Sequence, residues 1–265
     1  MMRSDASAET VLRVGKHAIQ HLLAAHPEMI QVLSLQQGNP RLNALAQQAQ
    51  AAGVQVTLLS RDQLDALAKS AGFSGNRSTQ AHQGVVAQVL LPHCQEDILP
   101  LLQAITHCKA EQRPLLLFAL DSVSDPRNLG AILRVAEGAG AVGIVIPKHG
   151  SAKLSAVVAK TAAGADVFVP VYAVTNLART LQQFKQAGAW VVAADGDAEQ
   201  AVFYPQVDWP AQTVLLMGSE GEGIRRLVAE QADVFVKIPM AGQVSSLNVS
   251  VATGILAYAW RLARA

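Results

Sequence analysis

Thr213-Val214-Leu215-Leu216-Met217 is an almost wholly apolar run that passes straight into Gly218-Ser219-Glu220-Gly221-Glu222-Gly223. A short apolar stretch stopping at glycine is too brief for an ordinary helix and reads as a strand covered on both faces. The pattern recurs. Leu115-Leu116-Leu117-Phe118-Ala119-Leu120, Val142-Gly143-Ile144-Val145-Ile146 and Trp190-Val191-Val192-Ala193-Ala194 are similar runs, and Val234-Phe235-Val236-Lys237-Ile238 is a further candidate. Alternation of such strands with helical segments predicts an α/β fold with a parallel sheet covered on both sides. Polar and glycine-rich residues collect after the strands, at the edge where open parallel sheets bind ligands.

Toward the N-terminus the elements are smaller and more mixed. Lys16 to Ala25 reads as a helix, Met29 to Gln36 as a strand, Arg41 to Ala52 as a helix and Val54 to Leu59 as a strand. Ser60 or Asp62 can cap a further helix through Ser70, Gly72 to Gln83 reads as an exposed loop, and Val85 to Leu90 is again a strand. The expected organisation is a disordered lead at 1–10, a small α/β domain at 11–91, a linker at 92–112 with helical character from Asp97 to His107, and a larger domain at 113–265.

Bulk properties narrow the function classes. The 265 residues are 51% hydrophobic, 15% charged and only 5% aromatic, so the core must be aliphatic. Net charge is +1, which confines any nucleic-acid surface to a local patch. Such a patch exists: from Arg127 to Lys160, Arg127, Arg134, Lys148, Lys153 and Lys160 face a single acid, Glu137, a local balance of +4. Cys94 and Cys108 lack metal-ligand spacing, and His17 and His21 share a helix face without a carboxylate or thiol, so no metal site is expected. The polar start lacks a signal-peptide core, and no apolar run approaches the roughly 18 residues of a membrane helix. These features predict a soluble, cytoplasmic protein.

Two glycine patterns invite a nucleotide reading and fail it. Gly138-Ala139-Gly140-Ala141-Val142-Gly143 matches G-x-G-x-x-G, yet it ends a helix and leads into a strand, the reverse of the dinucleotide-binding order. Gly218 to Gly223 lacks the Lys-Ser/Thr of a phosphate loop and carries two acids that would repel a triphosphate.

Three polar segments remain. They are Asp121-Ser122-Val123-Ser124-Asp125-Pro126-Arg127-Asn128-Leu129-Gly130-Ala131-Ile132-Leu133-Arg134, then Leu216 to Ile224, then Ile238-Pro239-Met240-Ala241-Gly242 continuing to Ser245-Ser246-Leu247-Asn248-Val249-Ser250. In the last, hydroxyls and amides break an apolar stretch. Buried, they would need partners, and Ser246 or Asn248 can also cap the closing helix. Together, in this order and spacing, the three segments resemble the SpoU (TrmH-like) RNA ribose 2'-O-methyltransferases of the SPOUT superfamily. Val14-Gly15-Lys16-His17-Ala18-Ile19 and His82-Gln83-Gly84-Val85-Val86-Ala87 are similar to the ribosomal-protein-like RNA-binding domain of the branch that methylates a guanosine of large-subunit rRNA. The first departs from that branch's aromatic-Gly-Ile start.

The resemblance implies a C-terminal SPOUT domain with a deep trefoil knot threaded near residues 213 to 250, and a homodimer with active sites at the subunit interface. It implies S-adenosyl-L-methionine as cofactor, held by Gly218, Ile238 and Leu247, and ribosomal RNA as partner. Asn128, Arg134, Glu220, Ser246 and Asn248 take the catalytic positions, with Glu220 holding the site together through Asn128 or the Ser246 region. A guanidinium stays protonated beyond about pH 12, so Arg134 is expected to stabilise a developing alkoxide and grip a phosphate. Arg77, in the polar loop, is a candidate for base selection. The alternatives are a transfer-RNA ribose methyltransferase, a non-catalytic RNA-binding assembly factor, and, more remotely, a nucleotide-dependent oxidoreductase.

Overall fold

A computed structural model describes residues 9–70 and 82–264, divided between Pro92 and His93 into two compact units. The residues expected to be disordered up to position 8, and most of the polar loop including Arg77, lie outside the described residues.

In the first unit, β1 (Thr10–Val14), β2 (Ile30–Gln36), β3 (Gln55–Leu59) and β4 (Val85–Leu90) form a sheet in the order β1-β4-β2-β3. β4 runs antiparallel to both neighbours, and β2 and β3 are parallel. Helices α1 (Lys16–Ala25), α2 (Asn43–Ala51) and α3 (Arg61–Ser70) bury Ile19, Leu22, Leu45 and Leu64. The helix expected from Arg41 opens with a 3-10 turn at Pro40–Leu42, where proline's fixed φ suits a first turn and Asn39 accepts from Arg41 N at 3.2 Å. β1 was not anticipated. Its inward set is Val11 and Arg13, so its apolar alternation is broken by a buried cation.

The two N-terminal motifs meet in space. Val14 pairs with Val86 across β1 and β4, and Gln83 Oε1 accepts from Lys16 N at 3.1 Å. Gly15 sits at φ 103°, a backbone conformation that side chains resist, and turns the chain from β1 into α1. His82 is buried, with Nε2 on Asp65 Oδ1 at 2.9 Å and Nδ1 accepting from Gly84 N at 2.9 Å.

The second unit is a seven-stranded sheet in the order β7-β6-β5-β10-β8-β11-β9, in which every neighbouring pair is parallel. Its strands are β5 (Leu115–Leu120), β6 (Ile144–Pro147), β7 (Val171–Val174), β8 (Trp190–Ala194), β9 (Val202–Phe203), β10 (Gln212–Met217) and β11 (Val234–Lys237). The helices are α4 (Leu99–Ala110), α5 (Pro126–Ala139), α6 (Ala156–Ala162), α7 (Leu177–Ala187), α8 (Arg226–Ala229) and α9 (Val249–Leu262). Along β5, Leu116, Phe118 and Leu120 join one apolar cluster with α5, α6 and α9, while Leu115, Leu117 and Ala119 join another with α4 and α7. Strand side chains alternate between faces, so a run with no polar member belongs in a sheet covered on both. β7 and β9 were not anticipated; they hold four and two residues, too few to show a period.

The segment 92–112 reads from the sequence as connecting the two domains or beginning the second. From His93 onward the chain is part of the second unit. Leu101, Ile105 and Cys108 of α4 pack in its core, and Gln95 bridges Tyr172. The helix starts at Leu99 rather than Asp97 because Asp97 Oδ1 instead accepts from Leu99 N at 2.9 Å. Gly140 ends α5 at φ 74° in a left-handed cap, which accounts for the misleading glycine pattern.

Phe118 is fully buried, so Phe118→Ala is expected to destabilise the second unit by about 3–5 kcal/mol. Leu227→Ala, at a side chain 60% exposed, should change it by less than about 0.5 kcal/mol. Urea denaturation followed by circular dichroism measures both.

Candidate functional site

Each of the three polar segments begins where a strand ends. The first leaves β5 at Asp121, passes through Ser122 at φ 61° and enters α5. Asp125 caps that helix by accepting from Arg127 N at 2.7 Å, with Pro126 as the first helical residue. Asn128 therefore lies in the first turn of the helix. Gly130 lets α5 approach α6 closely, since a Cβ there would fall 2.6 Å from Thr161 Cβ and 2.8 Å from the Val158 carbonyl.

The second segment leaves β10 at Gly218 and folds back on itself. Ser219 and Gly223 exchange two backbone hydrogen bonds of 3.0 and 3.1 Å. A Cβ on Gly218 would sit 2.3 Å from the Gly223 carbonyl carbon, so only glycine permits this closure. Gly221 at φ 89° and Gly223 at φ 68° complete the turn and leave Glu220 at its tip. The third segment leaves β11 and ends at Asn248, the N-cap of α9. Asn248 Oδ1 accepts from Ser250 N at 3.0 Å and Ser250 Oγ at 2.6 Å.

The three tips converge on one oxygen. Glu220 Oε1 accepts from Asn128 Nδ2 at 3.1 Å, Asn248 Nδ2 at 2.6 Å and Val249 N at 3.4 Å. Asn248 Nδ2 also donates to Asn128 Oδ1 at 3.0 Å. Asn248 thus both caps α9 and joins the cluster. The segment before it is more open than a buried-polar reading supposes: Ser245 and Ser246 are exposed, so their hydroxyls keep water as a partner.

Beside the cluster lies a cleft of about 300 Å³. Gly218 from the second segment and Ile238 and Leu247 from the third all line it, as do Glu220 and Ser246. Met217 and Val236 add an apolar wall. Asn128 and Asn248 are not in the lining and are joined to it by their hydrogen bonds to Glu220. Arg134 stands apart: it is exposed, outside the lining, and its side chain makes no hydrogen bond or ion pair among the described residues. Glu222 is likewise exposed and outside the lining. Among the described residues no cluster of His, Cys, Asp or Glu suits a metal ion. Of the basic patch, Arg127 and Lys153 are exposed, and Lys148 pairs with Glu96 at 3.0 Å.

Sequence reasoning missed two features. Asp195, Gly196 and Asp197 line the cleft just after β8, a position that the rule for strand C-terminal ends would have flagged. Asp121, fully buried, takes Arg225 Nε at 2.9 Å and Nη2 at 2.6 Å on Oδ1, and Arg225 N at 2.8 Å on Oδ2. Hydrogen bonding to Asp121 raises the Arg225 pKa above its ordinary value, against an opposing effect of burial. Only proximity in the fold pairs residues so far apart in the chain.

Residues 115–258 match the SpoU rRNA Methylase family, and residues 14–93 match the family described as RNA 2'-O ribose methyltransferase substrate binding. The chain is 44% identical over 243 residues to the 23S rRNA (guanosine-2'-O-)-methyltransferase RlmB of Pseudomonas putida, covering 91% of this chain and 92% of that protein. It is 43% identical over 244 residues to the RlmB of Salmonella typhimurium, covering 91% and 93%. The AdoMet-bound rRNA methyltransferase from Sinorhizobium meliloti superposes with a TM-score of 0.70 at 25% identity, covering 96% of this chain and 87% of that one.

Asn128→Ala and Asn248→Ala each remove a donor to Glu220, but only the second also removes a cap. Asn248→Ala is expected to cost about 1 kcal/mol more stability than Asn128→Ala, read from paired denaturation curves. Equal losses would show that the cap contributes nothing.

Proposed function

The chain belongs to the SpoU methyltransferase family, and from that premise we propose that it uses S-adenosyl-L-methionine to methylate the ribose 2'-oxygen of a guanosine in 23S ribosomal RNA. The observation that carries this reading is the match along both units to proteins named for that reaction, over 91% of the chain. The site's geometry is consistent with it. The cleft joins an apolar wall of Met217, Val236, Ile238 and Leu247, suited to an adenine, to a polar rim with Ser246 and Glu220, suited to a ribose and an amino-acid tail.

When bound, the cofactor supplies a methyl group already activated on a sulfonium. The protein's task is then to orient, and positioning can contribute roughly 7–11 kcal/mol in favourable intramolecular cases. Gly218, Ile238 and Leu247 hold the donor. Glu220 does not itself remove a proton in this scheme; one of its oxygens is committed to three N–H groups and locks the loops. Arg134, exposed and unengaged, grips the phosphate beside the target and stabilises negative charge developing on the 2'-oxygen. Arg127 and Lys153 extend that positive surface without reading bases. The first unit selects the substrate.

The reading extends to assembly and location. A homodimer is supported by Val251, Tyr258 and Leu262 along α9, which are 51%, 46% and 73% exposed and offer an apolar face to a second copy. A trefoil knot between residues 213 and 250 is inferred from family membership, and it agrees with the insertion of β10 between β5 and β8 followed by β11 between β8 and β9. No helix among the described residues is long and apolar enough to cross a membrane. A cytoplasmic location follows from a ribosomal RNA substrate.

Two experiments test this. Ribose-methylation mapping of 23S rRNA from cells with and without the gene is expected to show one guanosine losing its mark; an unchanged rRNA map with a changed transfer RNA would refute the substrate. Arg134→Ala is expected to lower kcat about 100- to 1,000-fold while leaving donor affinity within about twofold. Loss of donor affinity with turnover intact at saturation would be the opposite outcome.

A further inference from the structure

Asp121 is the first residue after β5 and has no exposed surface, and its backbone N–H donates to the Met217 carbonyl at the end of β10. An ionised carboxylate in such a place needs charged and hydrogen-bonding partners. Arg225 supplies them from its backbone N–H and from the Nε and Nη2 edge of its guanidinium, and Ser122 Oγ adds a contact of 3.4 Å. The rest of the Arg225 side chain faces solvent, being 55% exposed. The loop of residues 218–225 is thus anchored at one end by β10 and at the other by Asp121, and braced across its middle by Ser219 and Gly223. Glu220 rides on the braced section. Asp121 is the root of the segment that carries Asn128, so the ion pair ties together the bases of two loops whose tips meet at Glu220.

We propose that Arg225 is a positioning residue for methyl transfer: by forking onto buried Asp121, it fixes the loop of residues 218–225 and so holds Glu220 Oε1 where Asn128 and Asn248 converge. This rests on the reading of the adjacent cleft as the donor site. The role calls for arginine in particular. Two donors from one rigid plane set an angle as well as a distance, whereas a lysine ammonium supplies a point charge on a flexible stem. A loop pinned only at the β10 end would let Glu220 swing, and the amide cluster would lose its common acceptor.

The test is a double-mutant cycle in the full chain with Arg225→Lys, Glu220→Gln and both together. Donor Kd is measured by calorimetry with S-adenosylmethionine, kcat and KM are measured on an rRNA fragment, and unfolding is followed in parallel. Arg225→Lys is expected to unfold with wild-type cooperativity, to weaken donor binding about tenfold and to lower kcat further. Added to Arg225→Lys, Glu220→Gln should cost less than about twofold more, because both act on one arrangement. Full multiplication of the two effects overturns the proposal. Should Arg225→Lys not fold, the pair Asp121→Asn with Arg225→Gln, which removes the buried charge together with its partner, closes the same cycle.

A second readout needs no donor. The Val249 amide donates to Glu220 Oε1, so its exchange with solvent deuterium should quicken about tenfold when the clamp is loosened. Unchanged exchange in Arg225→Lys overturns the clamp. Absence of donor heat in the unmodified protein would instead overturn the reading of the cleft, leaving the exchange result to decide on Arg225.

Discussion

One carboxylate oxygen holds the candidate site together. Glu220 Oε1 accepts from a side chain 92 residues earlier and from another 28 residues later, so three turns become one surface only when that oxygen is in place. The arrangement is economical because the sheet does most of the work. Parallel strands deliver all their C-terminal ends to one edge, and loops emerging there are neighbours whatever their separation in sequence. The site then needs only short polar contacts to select one geometry among those the edge permits.

The layers on either side of the sheet explain which loops respond to which core. α5 and α9, following the first and third segments, pack in the same apolar cluster, with Trp260 of α9 also donating to the Pro210 carbonyl at 3.0 Å. The second segment leads into α8, whose Val228 packs in the cluster on the opposite face. Asn128 and Asn248 therefore share a foundation, and Glu220 reaches them from a turn whose following helix packs on the opposite face. A braced glycine turn suits that role better than a longer flexible loop would, because it fixes the direction of approach.

Much of this was legible in the sequence. The apolar runs at Leu115–Leu120, Trp190–Ala194 and Val214–Met217 announce two-faced strands because a parallel core is almost wholly apolar, and the one buried hydroxyl in β10, Thr213, is satisfied by the Pro210 carbonyl at 2.7 Å. The helix at Lys16–Ala25 follows from periodicity alone, and the resemblance singled out Glu220, Asn128 and Asn248 in advance. What stayed hidden was relational. β1 carries an inward arginine, β9 is two residues long, and the segment from His93 to Ala110 shows its allegiance only through what it touches. The Asp121–Arg225 pair spans 104 residues and has no local pattern to betray it. Arg134 was named from the resemblance, yet it is exposed and stands outside the cleft lining, so its place in the sequence motif is not mirrored by a contact within the chain.

The double engagement of Asn248 restricts which amino acid can occupy that position. Aspartate caps a helix equally well, but it would set a second carboxylate against Glu220 at the 2.6 Å contact where an amide now donates. Serine also caps, yet it carries a single hydroxyl proton in place of the amide's two N–H donors. Glutamine keeps the amide but is displaced by one methylene from the capping geometry. Helix initiation and loop assembly are thus encoded by the same side-chain amide, and change at this position is confined by two independent chemistries at once.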